Sequence, residues 1–221
     1  MTTVRFIYVS SDFLKDEKIY DKCLSAVGAQ KREKIKAIKN EKASRESLAG
    51  ELLLMFALKK AKSDYEKCEF SFKGQGKPYI KNYKVFSYNI SHSDGLVALA
   101  YSKKEVGCDI EKIRETDVDK LKRIFSEDEI KTLDDINDKR EKQKVFFKFW
   151  TKKESLAKLK GESVFRFNGK GNVKTFIIKK EYAVTVSANV GFLLTKKQIT
   201  PNVLLKAVGV NIKKNKKAVI E

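Results

Sequence analysis

Phe147-Lys148-Phe149-Trp150-Thr151-Lys152-Lys153-Glu154-Ser155-Leu156-Ala157-Lys158 decides how the rest of this chain is read. Phe147, Trp150, Leu156 and Leu159 supply its apolar positions, and no Pro or Gly interrupts it before Gly161. The pattern predicts a helix. Glu154 and Lys158 are one turn apart and share a face. On its own such a pair is a solvated surface contact worth about 0.2–0.5 kcal/mol. Held on a rigid element, the same carboxylate and ammonium could hold a metal ion and a phosphate together. The rest of the chain chooses between these readings.

The chain has 221 residues, 42% of them apolar, and only two prolines. It is a globular chain, long enough for one large domain or two small lobes with real cores. No apolar run approaches the roughly 18–20 residues of a membrane-spanning helix. The opening Met1–Val9 is too short and too strand-like for a signal peptide. Cys23, Cys68 and Cys108 are odd in number and widely spaced, and there is one histidine. They form neither a disulfide framework nor a zinc site of the usual spacing, and a cytoplasmic protein is expected. The net charge of +19, from 48 basic and 29 acidic residues, calls for an anionic partner. The excess is mostly lysine, scattered along the chain without arginine-rich blocks or an aromatic-interleaved nucleic-acid motif. Charge therefore gives the partner's sign and not its identity.

Upstream of the central helix, residues 3–10 alternate as a first strand. From Lys31 the pattern is helical, with Lys31, Arg32 and Lys34 around a thin apolar seam. A second helix is expected from about Lys42 to Lys62, with Leu48, Leu52, Met55, Phe56 and Leu58 as its buried stripe. Gly74-Gln75-Gly76-Lys77-Pro78 reads as a turn between strands whose backbone could also pass close to a ligand. Its spacing is wrong for a Walker loop. Asn89-Ile90-Ser91-His92-Ser93-Asp94-Gly95 then leads to a strand at residues 96–101. There a hydroxyl and the imidazole can both face a cleft, although a lone histidine is more often structural. No Gly-x-Ser-x-Gly elbow accompanies it, which disfavours a hydrolase.

In Val106-Gly107-Cys108-Asp109-Ile110-Glu111-Lys112, a period of two puts Val106, Cys108 and Ile110 on one face. Asp109 and Glu111 then share the other, a repulsive arrangement that a divalent cation commonly relieves, unless the strand simply has an exposed acidic face. Thr116 to about Asp138 reads as an amphipathic helical region, restarted at Ser126-Glu127-Asp128-Glu129 by a capping box. Beyond the central helix, residues 173–178 and 181–188 form a hairpin, and Lys213–Lys217 make a basic tail. Arg45-Glu46-Ser47-Leu48-Ala49 echoes Lys153-Glu154-Ser155-Leu156-Ala157 on the other long helix. The echo suggests a duplicated lobe, with a boundary near residue 104 and an active site between the halves.

Gly76-Lys77-Pro78, Asn89-Ile90-Ser91-His92-Ser93-x-Gly95, Gly107-x-Asp109-Ile110-Glu111 and Trp150-x-x-Lys153-Glu154-Ser155-x-x-Lys158 form an ordered series. Over residues 28–160 it resembles the 4′-phosphopantetheinyl transferase superfamily, in its larger, pseudodimeric branch. The resemblance implies an α+β fold of two similar lobes related by a pseudo-two-fold, residues 1–104 and 105–221. Each lobe would be a small, mostly antiparallel sheet with packed helices. It implies transfer of phosphopantetheine from coenzyme A to a serine of an apo carrier protein, acyl, peptidyl or polyketide. Asp109, Glu111 and Glu154 would bind magnesium, with Glu154 or a metal-bound water as base and Lys158 on the pyrophosphate.

By the same resemblance Ser91 and His92 would hold phosphate oxygens. Lys31, Lys34 and Arg45 would clamp the 3′-phosphate, and Lys77 and Pro78 would border the adenine. Cys108 stands where the family usually has Val or Ile, a small hydrophobe with some liability to oxidation. A duplicated chain would be a monomer, needing neither nucleic acid nor membrane. The competing reading is a basic nucleic-acid or anionic-surface binding protein. Its binding would weaken steeply with salt and ignore Glu154.

Overall fold

A computed structural model describes residues 1–165, 167 and 169–211; the expected basic tail at Lys213–Lys217 lies outside them. The first half runs β1 (Thr2–Ser10), α1 (Glu17–Ala26), α2 (Ala29–Lys36), α3 (Glu41–Lys60) and the hairpins β2 (Phe70–Lys73)–β3 (Lys77–Ile80) and β4 (Ser87–Ser93)–β5 (Leu96–Ser102). The second runs β6 (Val106–Lys112), a 3₁₀ turn at Asp119–Ile124, α4 (Glu127–Asp134), α5 (Lys139–Lys160), the hairpin β7 (Asn172–Ile178)–β8 (Tyr182–Ala188), β9 (Phe192–Gln198) and α6 (Pro201–Ala207).

The two halves trace the same path. Each opens on a strand, passes through a long helix and returns as a hairpin whose second strand pairs antiparallel with the opening one. The sheet orders are β4-β5-β1 and β7-β8-β6. The expected α+β fold of two similar lobes is what the chain adopts. One element departs from the expected 105–221 lobe. Strand β9 crosses back and pairs in parallel with β1, from Thr2↔Phe192 to Tyr8↔Gln198. Helix α6 then buries Leu204 and Leu205 in the core beneath α3. The crossing covers a β1 edge that would otherwise expose unpaired backbone groups.

Strand alternation builds four layers. On one face of the first sheet, Ile7, Val9, Val97 and Leu99 pack under Leu48, Leu52, Leu53 and Phe56 of α3. On the other, Val4, Phe6, Ala98 and Ala100 meet Cys108, Ile110, Val184 and Val186 of the second sheet. Outside that sheet lies α5, whose Phe146 and Phe147 pack with Val118, Phe125 and Leu133. The order is α3, first sheet, second sheet, α5, and the inter-sheet core joins the lobes.

Helix α5 starts a full two turns before Phe147. Asp138 caps it by accepting from the Glu141 amide at 2.7 Å. It stops at Gly161, whose φ of 73° is the left-handed conformation a C-terminal cap requires. The expected helical region from Thr116 to Asp138 restarts where the capping box predicts: after a 3₁₀ stretch and an extended Phe125, Ser126 and Glu129 exchange capping bonds of 3.3 and 3.1 Å. Extending Phe125 seats its ring against Phe146, centroids 5.5 Å apart, a packing gain that outweighs a continued helix.

Candidate active site

Gly107 brings β6 onto α5. A Cβ there would lie 2.1 Å from the Ser155 carbonyl oxygen and 2.7 Å from the Leu159 amide nitrogen. Only glycine allows the strand so close. Two residues on, Asp109 meets the same helix face: its Oδ1 accepts from Lys158 Nζ at 2.6 Å and from Ser91 Oγ at 2.8 Å. Asp109 is 3% exposed, and its Oδ2 is buried without a partner. Glu111 accepts from Ser93 Oγ at 2.8 Å. Glu154 has no hydrogen bond or ion pair among the described residues. Lys158 of α5 thus reaches Asp109 of β6, and Glu154 lies near enough to feel the charges of Asp109 and Glu111.

Burial and neighbouring charge set the electrostatics of these groups. Burial, reinforced by Asp109 and Glu111, holds the Glu154 carboxyl above its usual range against the pull of Lys158. Burial also raises Asp109, only partly offset by Lys158 and Ser91. Burial works against charge on Lys158, but Asp109 and Glu154 outweigh it and keep the ammonium firmly protonated. Among the described residues no three His, Cys, Asp or Glu side chains already stand close enough to enclose a metal ion.

A polar ladder aligns the two lobes at this site. Strand β4 runs beside β6 at a constant offset of 19 residues. Ser87, Asn89, Ser91 and Ser93 accept from the amides of Val106, Cys108, Ile110 and Lys112 at 3.3, 2.8, 3.3 and 3.1 Å. Side chains of one sheet thus replace the backbone partners that β6 lacks on that edge.

Other expected site residues land elsewhere. Ser91 and His92 do not face one cleft, because adjacent strand residues point to opposite faces. The Ser91 hydroxyl is buried on Asp109, whereas His92 turns toward α3, its Nδ1 2.9 Å from Glu46 Oε2. The Lys77 side chain is held within the protein. Its Nζ is buried, donating to Glu105 at 2.7 Å, the Val106 carbonyl at 3.0 Å and the Leu159 carbonyl at 2.8 Å. Burial pulls its pKa down against Glu105. Its turn approaches α5 and no cleft: Gln75 donates to the Gly161 carbonyl at 2.8 Å, and Gly74, at φ 55°, leaves no room for a Cβ there. Pro78 sits half-buried in β3, opposite Phe72.

Lys31 pairs with buried Glu51 at 2.9 Å, Lys34 lies 5.5 Å over the Phe72 ring, and Arg45 pairs with Glu41 at 3.2 Å one turn back on its own helix. Arg32 donates to the Leu24, Ser25 and Val27 carbonyls that end α1, a purely structural use. The residue of α3 that meets His92 is Glu46, which the motifs did not single out although the repeated pentapeptide contains it. Cys108 is fully enclosed with its thiol pushed up to about 12 by burial, so the expected oxidation liability is absent.

Residues 15–104 match the family model of the 4′-phosphopantetheinyl transferase N-terminal region, and residues 105–187 that of the 4′-phosphopantetheinyl transferase superfamily. Among curated proteins, a 4′-phosphopantetheinyl transferase of Bacillus subtilis is 33% identical over 147 residues, 65% of this chain and 64% of that protein. The 4′-phosphopantetheinyl transferase Sfp of Bacillus subtilis (strain 168) is 29% identical over 159 residues, 72% of this chain and 70% of that protein. The 4′-phosphopantetheinyl transferase gsp of Aneurinibacillus migulanus is 31% identical over 168 residues, 75% of this chain and 68% of that protein. With the acids and the lysine of the matched second region gathered between β6 and α5, the chain belongs to the 4′-phosphopantetheinyl transferase superfamily, in its larger two-lobed branch.

Proposed function

We propose that this protein transfers the 4′-phosphopantetheine group of coenzyme A to a serine of an apo carrier protein, releasing adenosine 3′,5′-bisphosphate. The observation that carries this reading is the cluster of Asp109, Glu111, Glu154 and Lys158 at the meeting of β6 and α5. Glu154, or a metal-bound water that it orients, is the base for the serine hydroxyl; burial beside Asp109 and Glu111 raises its carboxyl in the metal-free protein. Lys158 stays charged and binds the pyrophosphate as a point charge.

The donor set fits a magnesium ion: all ligands are carboxylate oxygens, Lys158 and Arg114 offset only part of their mutual repulsion, and one buried oxygen of Asp109 is unpartnered. Asp109, Glu111 and Glu154 would hold it. When bound, the ion supplies charge neutralisation at the pyrophosphate. Lys31, Lys34 and His92 face the nucleotide end, where the 3′-phosphate is the anion to be bound. Arg45 contributes there only by leaving Glu41.

The carrier is an acidic helical domain, and the docking surface runs along Val118–Leu133 beside α5. Arg123 lies 5.9 Å over the ring of Phe165, itself 60% exposed. With Lys153 they border one cleft, one residue from Glu154. Reversing Lys120 and Arg123 to Glu is expected to raise the carrier's KM about tenfold and leave that for coenzyme A unchanged. Steady-state kinetics with each substrate varied checks this, and two unchanged constants would move the docking site elsewhere.

The protein works as a monomer in the cytoplasm, its two lobes completing the cleft alone. No helix among the described residues is long and apolar enough to cross a membrane. A basic surface-binding protein would have no use for a buried Asp109 paired with Lys158 beside two further acids. Intact-mass spectrometry of an apo carrier incubated with protein, coenzyme A and magnesium tests the reading. The expected result is a gain of one phosphopantetheine that EDTA abolishes; unmodified acyl and peptidyl carriers, with no coenzyme A binding, would reject it.

A further inference from the structure

The pentapeptide shared by α3 and α5 has a use that the metal-binding acids do not exhaust. Its second residue is Glu154 in one copy and Glu46 in the other, on helices that occupy equivalent places in the two lobes. Glu46 is 6% exposed. Its Oε1 accepts from the Gly95 amide at 2.6 Å, in the turn between β4 and β5. Its Oε2 lies 2.9 Å from Nδ1 of His92, whose side chain is 47% exposed.

We propose that Glu46 is a positioning residue that holds the His92 ring with Nδ1–H turned inward and Nε2 presented to the 3′-phosphate of coenzyme A. The nucleotide assignment rests on the function proposed above; the arrangement of the ring does not. A buried carboxylate can only accept hydrogen bonds. An unprotonated, partly negative Nδ1 would repel the carboxylate at 2.9 Å, so that nitrogen carries the hydrogen. Tied there, the ring cannot flip, and its second nitrogen is left at the exposed edge. Nε2 can donate to phosphate only in the doubly protonated ring, whose charge the Glu46 carboxylate would balance from behind. The same carboxylate, through Gly95, fixes the turn on which the histidine is mounted. Glu46 touches neither nucleotide nor reacting atoms; it acts through His92.

His92 is the only histidine in the chain, so long-range proton–nitrogen NMR of the full-length protein reads this one ring. The expected wild-type pattern is a protonated Nδ1. In Glu46→Gln the side-chain carbonyl can serve Gly95 only by turning its NH₂ toward the ring, and His92 is expected to switch to the Nε2–H form. The KM for coenzyme A should rise about tenfold, the scale of a lost charge-assisted hydrogen bond. The turnover number, and the KM for 3′-dephospho-coenzyme A, should stay within about twofold.

A wild-type ring in the Nε2–H form overturns the proposal. So does a Glu46→Gln variant that melts lower while tautomer and KM stay unchanged, since Glu46 would then only brace the turn. Nδ1 protonation in a protein that does not bind coenzyme A upholds the arrangement and overturns the transferase reading instead.

Discussion

Replacing Glu154 with Gln is expected to lower turnover about 10²–10⁴-fold, the range a positioned general base supplies, while the metal-free protein melts at the same or a higher temperature. Both halves follow from one environment. Glu154 is partly buried beside two other carboxylates and has no hydrogen-bond donor, so its ionised form is disfavoured in the folded chain. A carboxyl raised above its usual value of 4.5 favours the fold below that pH. The advantage is lost as pH rises through the folded-state value, because the unfolded chain ionises more readily. Glutamine keeps the shape and does not titrate. Melting curves in EDTA at about pH 4 and about pH 7 should therefore separate variant from wild type more at the higher pH, in the variant's favour. Turnover read by carrier mass gives the other half. A variant that still modifies carriers at the wild-type rate, or that loses stability at neutral pH, would remove Glu154 from the catalytic role.

Much of this site is legible in the sequence, because it is built from short-range rules. Period two in β6 separates Cys108 and Ile110 from Asp109, and the i, i+4 spacing on α5 aligns Glu154 with Lys158. The Ser126–Glu129 box and the glycine end of α5 were equally local. What could not be read depends on partners distant in sequence. Strand β9, Phe192-Leu-Leu-Thr-Lys-Lys-Gln, carries three lysine or glutamine residues in seven and is stabilised by the free edge of β1, which no local pattern announces. Lys77 stands in a Gly-Lys-Pro turn that reads as ligand-facing. The carbonyls that bury its ammonium belong to residues 29 and 82 positions away. Glu46 carries no local signal of its own: the helix register turns it inward to His92 and the Gly95 amide, contacts 46 and 49 residues away. The internal repeat held that information, since it aligns Glu46 with Glu154.

Gly107→Ala is expected to be the most damaging one-methyl change in the chain. The new Cβ would sit 2.1 Å from the Ser155 carbonyl oxygen, 2.7 Å from the Leu159 amide nitrogen and 2.8 Å from Ser187 Oγ. Two of those atoms are helix backbone, which cannot rotate away, so α5 must lift off β6. Overpacking of this kind costs about 1–3 kcal/mol, and about 2–4 °C of melting temperature goes with each kcal/mol in a chain of this size. Activity should suffer more than stability. Lifting α5 moves Glu154 and Lys158 away from Asp109, and a misplacement of about 1 Å can cost about 10²-fold.

Gly50→Ala is the control. It lies inside α3, where the added methyl meets the Ile90 Cγ2 side-chain methyl at 3.1 Å, a contact relieved by a shift of a few tenths of an ångström, and helix propensity favours alanine by roughly 0.5–1 kcal/mol. That variant should fold and turn over much as the wild type does. Thermal melting and carrier modification on the two variants side by side decide the matter. If Gly107→Ala behaves like Gly50→Ala, the close approach of β6 to α5 is not what assembles the site. If it melts lower and loses turnover out of proportion, the glycine between Val106 and Cys108 sets the distance on which the acids and the lysine depend.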